Sequence, residues 1–292
     1  MADGNLAPEA FDRLLASQRP RLHRYCARMV GSAFEGEDVV QEALAKAAEA
    51  LPGAGFIERP ERWLLRIAHN TALDALRRRK RQAALFGDVG PERLADAAAA
   101  SDARVSAEAS LATLMVLPVA QRAAVVLVDV LGHSAEEAVD ILGVSLPALK
   151  AGLHRGRARL RTIIGPGDGP TRLDPAERDR LRAYADRFNA RDFDALRDLL
   201  AEEVRLDMVG RLRLAGRKDV SVYFTRYSEA FDWRFRPGLA EGRPALLASD
   251  PADAAGAVRW VVLLTWTGER IAAIRDFKYA GYVMESLNVL TD

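Results

Sequence analysis

The chain has 292 residues, 49% of them hydrophobic and 28% charged, and its 42 Lys/Arg nearly balance 41 Asp/Glu for a formal net charge of +1. That length predicts two or three globular modules, and the lack of a long apolar run excludes a membrane-spanning helix. A lone cysteine, Cys26, excludes a disulfide framework and a Cys-based zinc site, and the first residues lack the basic-then-apolar layout of a secretion signal. A cytoplasmic protein with no metal and no cofactor is therefore expected.

The first module is predicted over residues 7–83. Val39, Val40, Ala43, Leu44, Ala47 and Leu51 recur at helical spacing. Pro60 then suits the first turn of a further helix, where its missing N–H costs nothing. In that helix Trp63, Leu64, Ile67, Ala68, Thr71, Ala72 and Ala75 make one apolar stripe. Arg62, Arg66, His69, Asn70 and Arg77 fall on the other side. The segment ends in five consecutive cations, Arg77, Arg78, Arg79, Lys80 and Arg81. Cations suit any helix C-terminus, but here the basic face begins about three turns earlier. Neither half of the chain is basic overall: residues 1–165 hold 22 Lys/Arg and 20 Asp/Glu, the remainder 20 and 21. A case for nucleic acid must rest on placement. Residues 84–107 mix Gly, Pro, Asp and Ala and read as a tether.

The second module is predicted over residues 108–164. Its stretch "SAEEAVDILGVSLPALKAGLHRGRARLR" reads as helix, tight turn at Gly143-Val144-Ser145, and helix. Ser145 is placed to cap, Pro147 falls in the first turn, and Leu146, Leu149, Leu153 and Leu160 form the buried side. Lys150, His154, Arg157 and Arg161 line the opposite face, the pattern of a helix-turn-helix with a cationic recognition helix. A helical hairpin with a merely solvated face would share this pattern.

Residues 165–174 are rich in Gly and Pro and read as a second linker. From Pro175 to Asp292 two helices, broken near Ala190-Arg191-Asp192, precede strand-like runs. In Val258 to Trp266 alternate residues share one face, and Gly268 turns the chain into Arg270 to Tyr279, a predicted hairpin.

The paired segments "EGEDVVQEALAKA" and "RPERWLLRIAHNTALDALRRRKR" resemble region 2 of sigma factors of the sigma-70 superfamily. "LPVAQRAAVVLVDVLGHSAEEAVDILGVSLPALKAGLHRGRARL" resembles region 4, and the lack of a region 3 between them points to the extracytoplasmic-function group. The resemblance implies a partner, core RNA polymerase, whose β′ clamp would be met by Glu37, Asp38, Val39, Val40, Gln41 and Glu42, with β also in contact. It implies promoter DNA as the second partner. Arg66, His69 and Asn70 would meet the −10 element, and Arg77, Arg78, Arg79, Lys80 and Arg81 would lie along phosphates, which adds salt-dependent affinity without sequence preference. Ser145, Ala148, Lys150, Ala151, His154, Arg155 and Arg157 would meet the −35 element. Ala148, Ala151 and Gly152 stand where hydrogen-bonding residues are usual in the family, which implies a weaker or more phosphate-dependent readout there.

The third module resembles the SnoaL-like cone of the nuclear-transport-factor-2 superfamily, as found fused to some of these sigma factors. The expected fold is thus multidomain, two all-α modules followed by an α+β cone with a curved antiparallel sheet. Asp207, Tyr223, Tyr227 and Asp276 are the residues that would line a pocket for a small-molecule ligand. The run Asp207-Met208-Val209-Gly210-Arg211 keeps only the ends of an Asp-Gly-Gly-Gly-Arg loop known in such extensions. All four histidines precede Gly165, so the commonest acid–base residue is missing from this module and no catalytic residue is expected. Two alternatives stay open on the residues alone: a ligand-sensing helix-turn-helix regulator that needs no polymerase, and an isomerase or hydrolase using the third module's pocket.

Overall fold

The computed structural model describes residues 8–86, 111–162 and 172–291, and the expected tethers at 84–107 and 165–174 lie for the most part outside them. The chain divides into two compact units, Met1–Gly167 and Asp168–Asp292. In the first, three helices form a bundle: α1 (Pro8–Val30), α2 (Ala33–Ala50) and α3 (Pro60–Phe86). Ser32 caps α2, its hydroxyl accepting from the Glu35 N–H at 3.2 Å. Gly36 lets α2 lie directly on α1, since a Cβ there would sit 2.5 Å from Ala27 Cα. Leu22, Tyr25, Met29, Phe34, Val40, Leu64 and Ala68 fill the space between the helices and are all buried.

The same unit continues through α4 (Leu111–Met115), α5 (Val119–Val125), a π turn over Val126–Val130, α6 (Ala135–Leu142) and α7 (Leu146–Arg161). A capping box between Ser134 and Glu137 starts α6, and Gly143, with φ +65°, ends it in a left-handed conformation. Ser145 then caps α7, accepting from the Ala148 N–H at 3.3 Å. This is the helix-turn-helix the turn residues predicted. Gly156 seats α7 on α5, where a Cβ would lie 2.8 Å from Val125 Cγ2. One hydrophobic core runs through both helical groups, from Tyr25 and Leu64 to Val125, Ile141 and Leu153.

The second unit opens with α8 (Pro175–Asn189) and α9 (Phe193–Asp198), and has two further short helices, α10 (Arg217–Val220) and α11 (Val222–Ser228). They accompany a seven-stranded sheet of order β2-β1-β6-β5-β4-β3-β7. Its strands are β1 (Leu200–Met208), β2 (Leu212–Ala215), β3 (Arg234–Ala240), β4 (Arg243–Ser249), β5 (Val258–Thr267), β6 (Arg270–Asp276) and β7 (Val289–Thr291). The β5–β6 hairpin forms where predicted. β1 and β6 pair in parallel and every other neighbouring pair is antiparallel.

Helices followed by a curved sheet make the expected cone. Sequence reading passed over β3, because "RFRPGLA" contains Pro237 and Gly238. β7 covers β3 only over Gly238–Ala240, so Pro237 lies beyond the end of that neighbour. Phe188 of α8 sits at the centre of the interior, 4.9 Å from the Phe235 ring and 5.1 Å from both Tyr227 and Trp233. The Asn189 amide exchanges two hydrogen bonds with the backbone of Phe235, at 2.8 and 2.9 Å, and pins α8 to β3.

Candidate nucleic-acid interface

The apolar stripe of α3 turns inward, with Leu64, Ala68, Thr71 and Ala72 buried. Its polar face emerges: Arg66, Asn70 and the run Arg77, Arg78, Arg79, Lys80 and Arg81 are exposed. Asn70 therefore offers both a donor and an acceptor to solvent at mid-helix. The terminal arginines rest on carboxylates. Arg78 is bidentate to Glu42 at 2.7 and 3.3 Å, Arg79 reaches Glu35 at 3.3 Å, and Arg77 reaches Asp74 at 3.1 Å. Exposed pairs of this kind contribute little, about 0–1 kcal/mol each, so a phosphate can displace them readily.

His69 is corrected by the structure. It is 7% exposed, and its Nδ1 lies 2.7 Å from the Tyr25 hydroxyl. Burial lowers its pKa to about 4, so the ring is neutral and belongs to the bundle core. Three of the six residues expected at the polymerase clamp are corrected as well. Glu37, Val39 and Val40 are buried, Glu37 in an ion pair with Arg19, because the rotation of α2 that packs Val40 into the bundle carries Glu37 inward too. Asp38, Gln41 and Glu42 remain at the surface.

On α7, Ser145, Ala148, Lys150, His154 and Arg155 are exposed and Ala151 is half-buried. Arg157 turns back to Asp129, with contacts of 2.6 and 3.1 Å to a carboxylate only 1% exposed. It compensates that buried charge and fixes the helix, while the N-terminal half of α7 stays exposed.

Several residues tie the two helical groups together, among them Arg122 and His133, to which sequence reading gave no role. Arg122 lies inside an apolar run and is 3% exposed. Its guanidinium donates to the carbonyls of Leu114, Leu117 and Met115 at 3.0, 3.0 and 3.2 Å and to that of Met29 on α1. Burial pulls its pKa down to about 10, which leaves it charged at neutral pH. Arg62 of α3 pairs with Glu137 of α6, and Arg66 reaches the Asp140 carboxylate at 2.6 Å. His133 bridges Glu137 and Arg21, at 3.1 Å to each. The signals in the sequence were a single cation in an apolar helix and acids on the α6 face.

In the second unit Tyr223, Tyr227 and Asp276 come together, both hydroxyls donating to Asp276 Oδ2 at 3.0 and 2.7 Å. The Lys278 N–H donates to Oδ1 at 2.8 Å. Burial raises the Asp276 pKa against the opposing effect of these bonds. Asp207 does not join them, a correction set by strand parity. It is paired with Arg213 and Arg275 across the sheet, whereas Asp276 is paired with Met208 and Val262. Successive residues of a strand point to opposite faces, so Asp207 shares the other face. The space expected for a pocket holds the rings of Phe188, Tyr227, Trp233 and Phe235. Trp233 and Trp260 are buried, as core residues are.

Residues 14–82 match the family model for sigma-70 region 2, and residues 108–160 that for sigma-70 region 4. Over 157 residues the chain is 34% identical to the ECF RNA polymerase sigma factor SigM of Mycobacterium tuberculosis, which spans 53% of this chain and 78% of that one. It is 34% identical over 168 residues to the RNA polymerase sigma factor CarQ of Myxococcus xanthus, covering 54% and 91%. The crystal structure of the extracytoplasmic function sigma factor SigJ of Mycobacterium tuberculosis is similar over 92% of this chain and 98% of its own, at 20% identity and a TM-score of 0.37.

Proposed function

The chain belongs to the extracytoplasmic-function group of RNA polymerase sigma factors, and on that premise we propose that it binds core polymerase, carries it to promoters and is regulated by its own carboxy-terminal module. The observation that supports this most directly is that two reading helices, α3 and α7, each leave polar residues exposed on one face, Asn70 on one and Lys150, His154 and Arg155 on the other. We assign Asn70 to base reading in the opened −10 element, where an unstacked base needs hydrogen bonds to its edge. Arg77, Arg78, Arg79, Lys80 and Arg81 hold phosphates. The exposed N-terminal half of α7 meets the −35 element, and Asp38, Gln41 and Glu42 form the acidic surface for the polymerase clamp.

The carboxy-terminal module acts without catalysis. Asp276 sits among packed aromatic rings, and Asp207, on the opposite face of the sheet, is held by Arg213 and Arg275, so neither carboxylate stands unpaired for proton transfer. Among the described residues no helix is long and apolar enough to cross a membrane and no acidic, His or Cys cluster fits a metal ion. The proposed site of action is the cytoplasm, beside core polymerase, the partner that the family implies. Reconstituted transcription tests the whole reading. Full-length protein with core polymerase gives promoter-dependent transcripts, and removal of Asp174 to Asp292 changes their yield. Output that needs no added chain would overturn the sigma assignment, and equal output from both forms would overturn the regulatory role.

A further inference from the structure

One face of the carboxy-terminal sheet gathers arginines. Strand register places Arg213, Asp207, Arg275 and Leu263 in one cross-strand row, and Ala215, Arg205, Ala273 and Thr265 in the next. With Arg243 these side chains surround a groove of about 600 Å³. Arg205, Arg213 and Arg275 thus share the groove with one carboxylate. Asp207 pairs with two of them, Arg213 at 3.3 Å and Arg275 at 3.5 Å, and a single carboxylate does not balance three cations. Arg205 and Arg213 are exposed.

We propose that this face is a docking surface for the phosphate backbone of duplex DNA, a contact that rests on the assignment of the chain to promoters. Charge decides among the occupants. A second copy docked by two-fold symmetry would set arginine against arginine, an arrangement that repels. Single-stranded nucleic acid needs rings to stack on, and neither row presents an aromatic side chain. Guanidinium forks match phosphate oxygens. Because the module is tethered to the promoter-reading unit, DNA beside the promoter elements reaches it at high effective concentration. Such contacts anchor and carry no sequence preference.

The test uses the full chain and a fluorescent duplex of scrambled sequence, with anisotropy read across a salt series. Two neutralised phosphates contribute about 1.8 to the slope of log K against log salt. Arg205→Gln with Arg213→Gln lowers the slope by about that amount and weakens binding several-fold at low salt, while the double Lys variant retains binding. Arg182→Gln with Arg226→Gln, an equal charge change at exposed positions on α8 and α11, leaves the slope unaltered. A Gln double variant that melts like the wild type and binds DNA with the same slope overturns the proposal. So does a wild-type dimer in sedimentation that the same variant dissolves, since the occupant is then a second copy. Transcription with core polymerase, scored on the same preparations, reports separately on the sigma assignment.

Discussion

Neighbours on one helix can have opposite fates, as His69 and Asn70 do. About 100° of rotation separates them, which puts the imidazole against Tyr25 and the amide in solvent. Both looked equally available in the sequence, because a helical projection places each on the polar side and says nothing of how deep a neighbouring helix reaches. Asn70→Ala is expected to reduce opening of the matching −10 sequence by about 1–3 kcal/mol of discrimination. Arg78→Ala weakens binding to all sequences and flattens the salt slope. Competition between matched and mismatched promoter duplexes separates the two, and identical behaviour would end the division into reader and anchor.

His69 also predicts an acid sensitivity. Its pKa is about 4 in the fold against 6.5 unfolded, so between those values the unfolded chain binds the extra proton. Stability is full above about 6.5 and falls as pH drops towards 4, by about 3 kcal/mol from this group. Melting the His69→Gln variant beside the wild type across that range should show a shallower acid slope for the variant.

Elements depend on where glycine permits contact. The helical spacing of the apolar residues in α2 was legible, but the close approach at Gly36 was not, because no local signal tells a packing glycine from a flexible one. Gly36→Ala drives a methyl into the Ala27 backbone at 2.5 Å. Overpacking of this kind costs about 1–3 kcal/mol, visible as a lowered melting temperature with helical content retained. The turn into α7 was readable from its residue types, since Gly143 and Ser145 have specific backbone roles. β3 was hidden by Pro237, whose cost vanishes where the neighbouring strand stops.

For the molecule as a whole, the arrangement of its first unit sets a condition on function. Arg66 of α3 is held by Asp140, and Arg62 by Glu137, on the first helix of the helix-turn-helix. On the proposed assignment, a residue for the −10 element is thus engaged by the module for the −35 element. On that assignment the two helical groups separate before both reach DNA, and Arg122, bound to the Met29 carbonyl, is a further tie between them. Glu137→Gln with Asp140→Asn should loosen that closure and raise the free protein's affinity for single-stranded −10 DNA several-fold, measured by anisotropy. Unchanged affinity would show that the pairs do not restrain Arg66.

The sequence by itself determined the helical periodicity, the helix-turn-helix, the hairpin and the family, because each is written in local residue types or in motifs read in order. Only the tertiary structure decided that Glu37 and His69 are sealed, that Arg157 serves Asp129, and that Asp207 and Asp276 face opposite ways. Those outcomes depend on which face of an element its distant neighbours cover and on strand register, and local sequence carries neither.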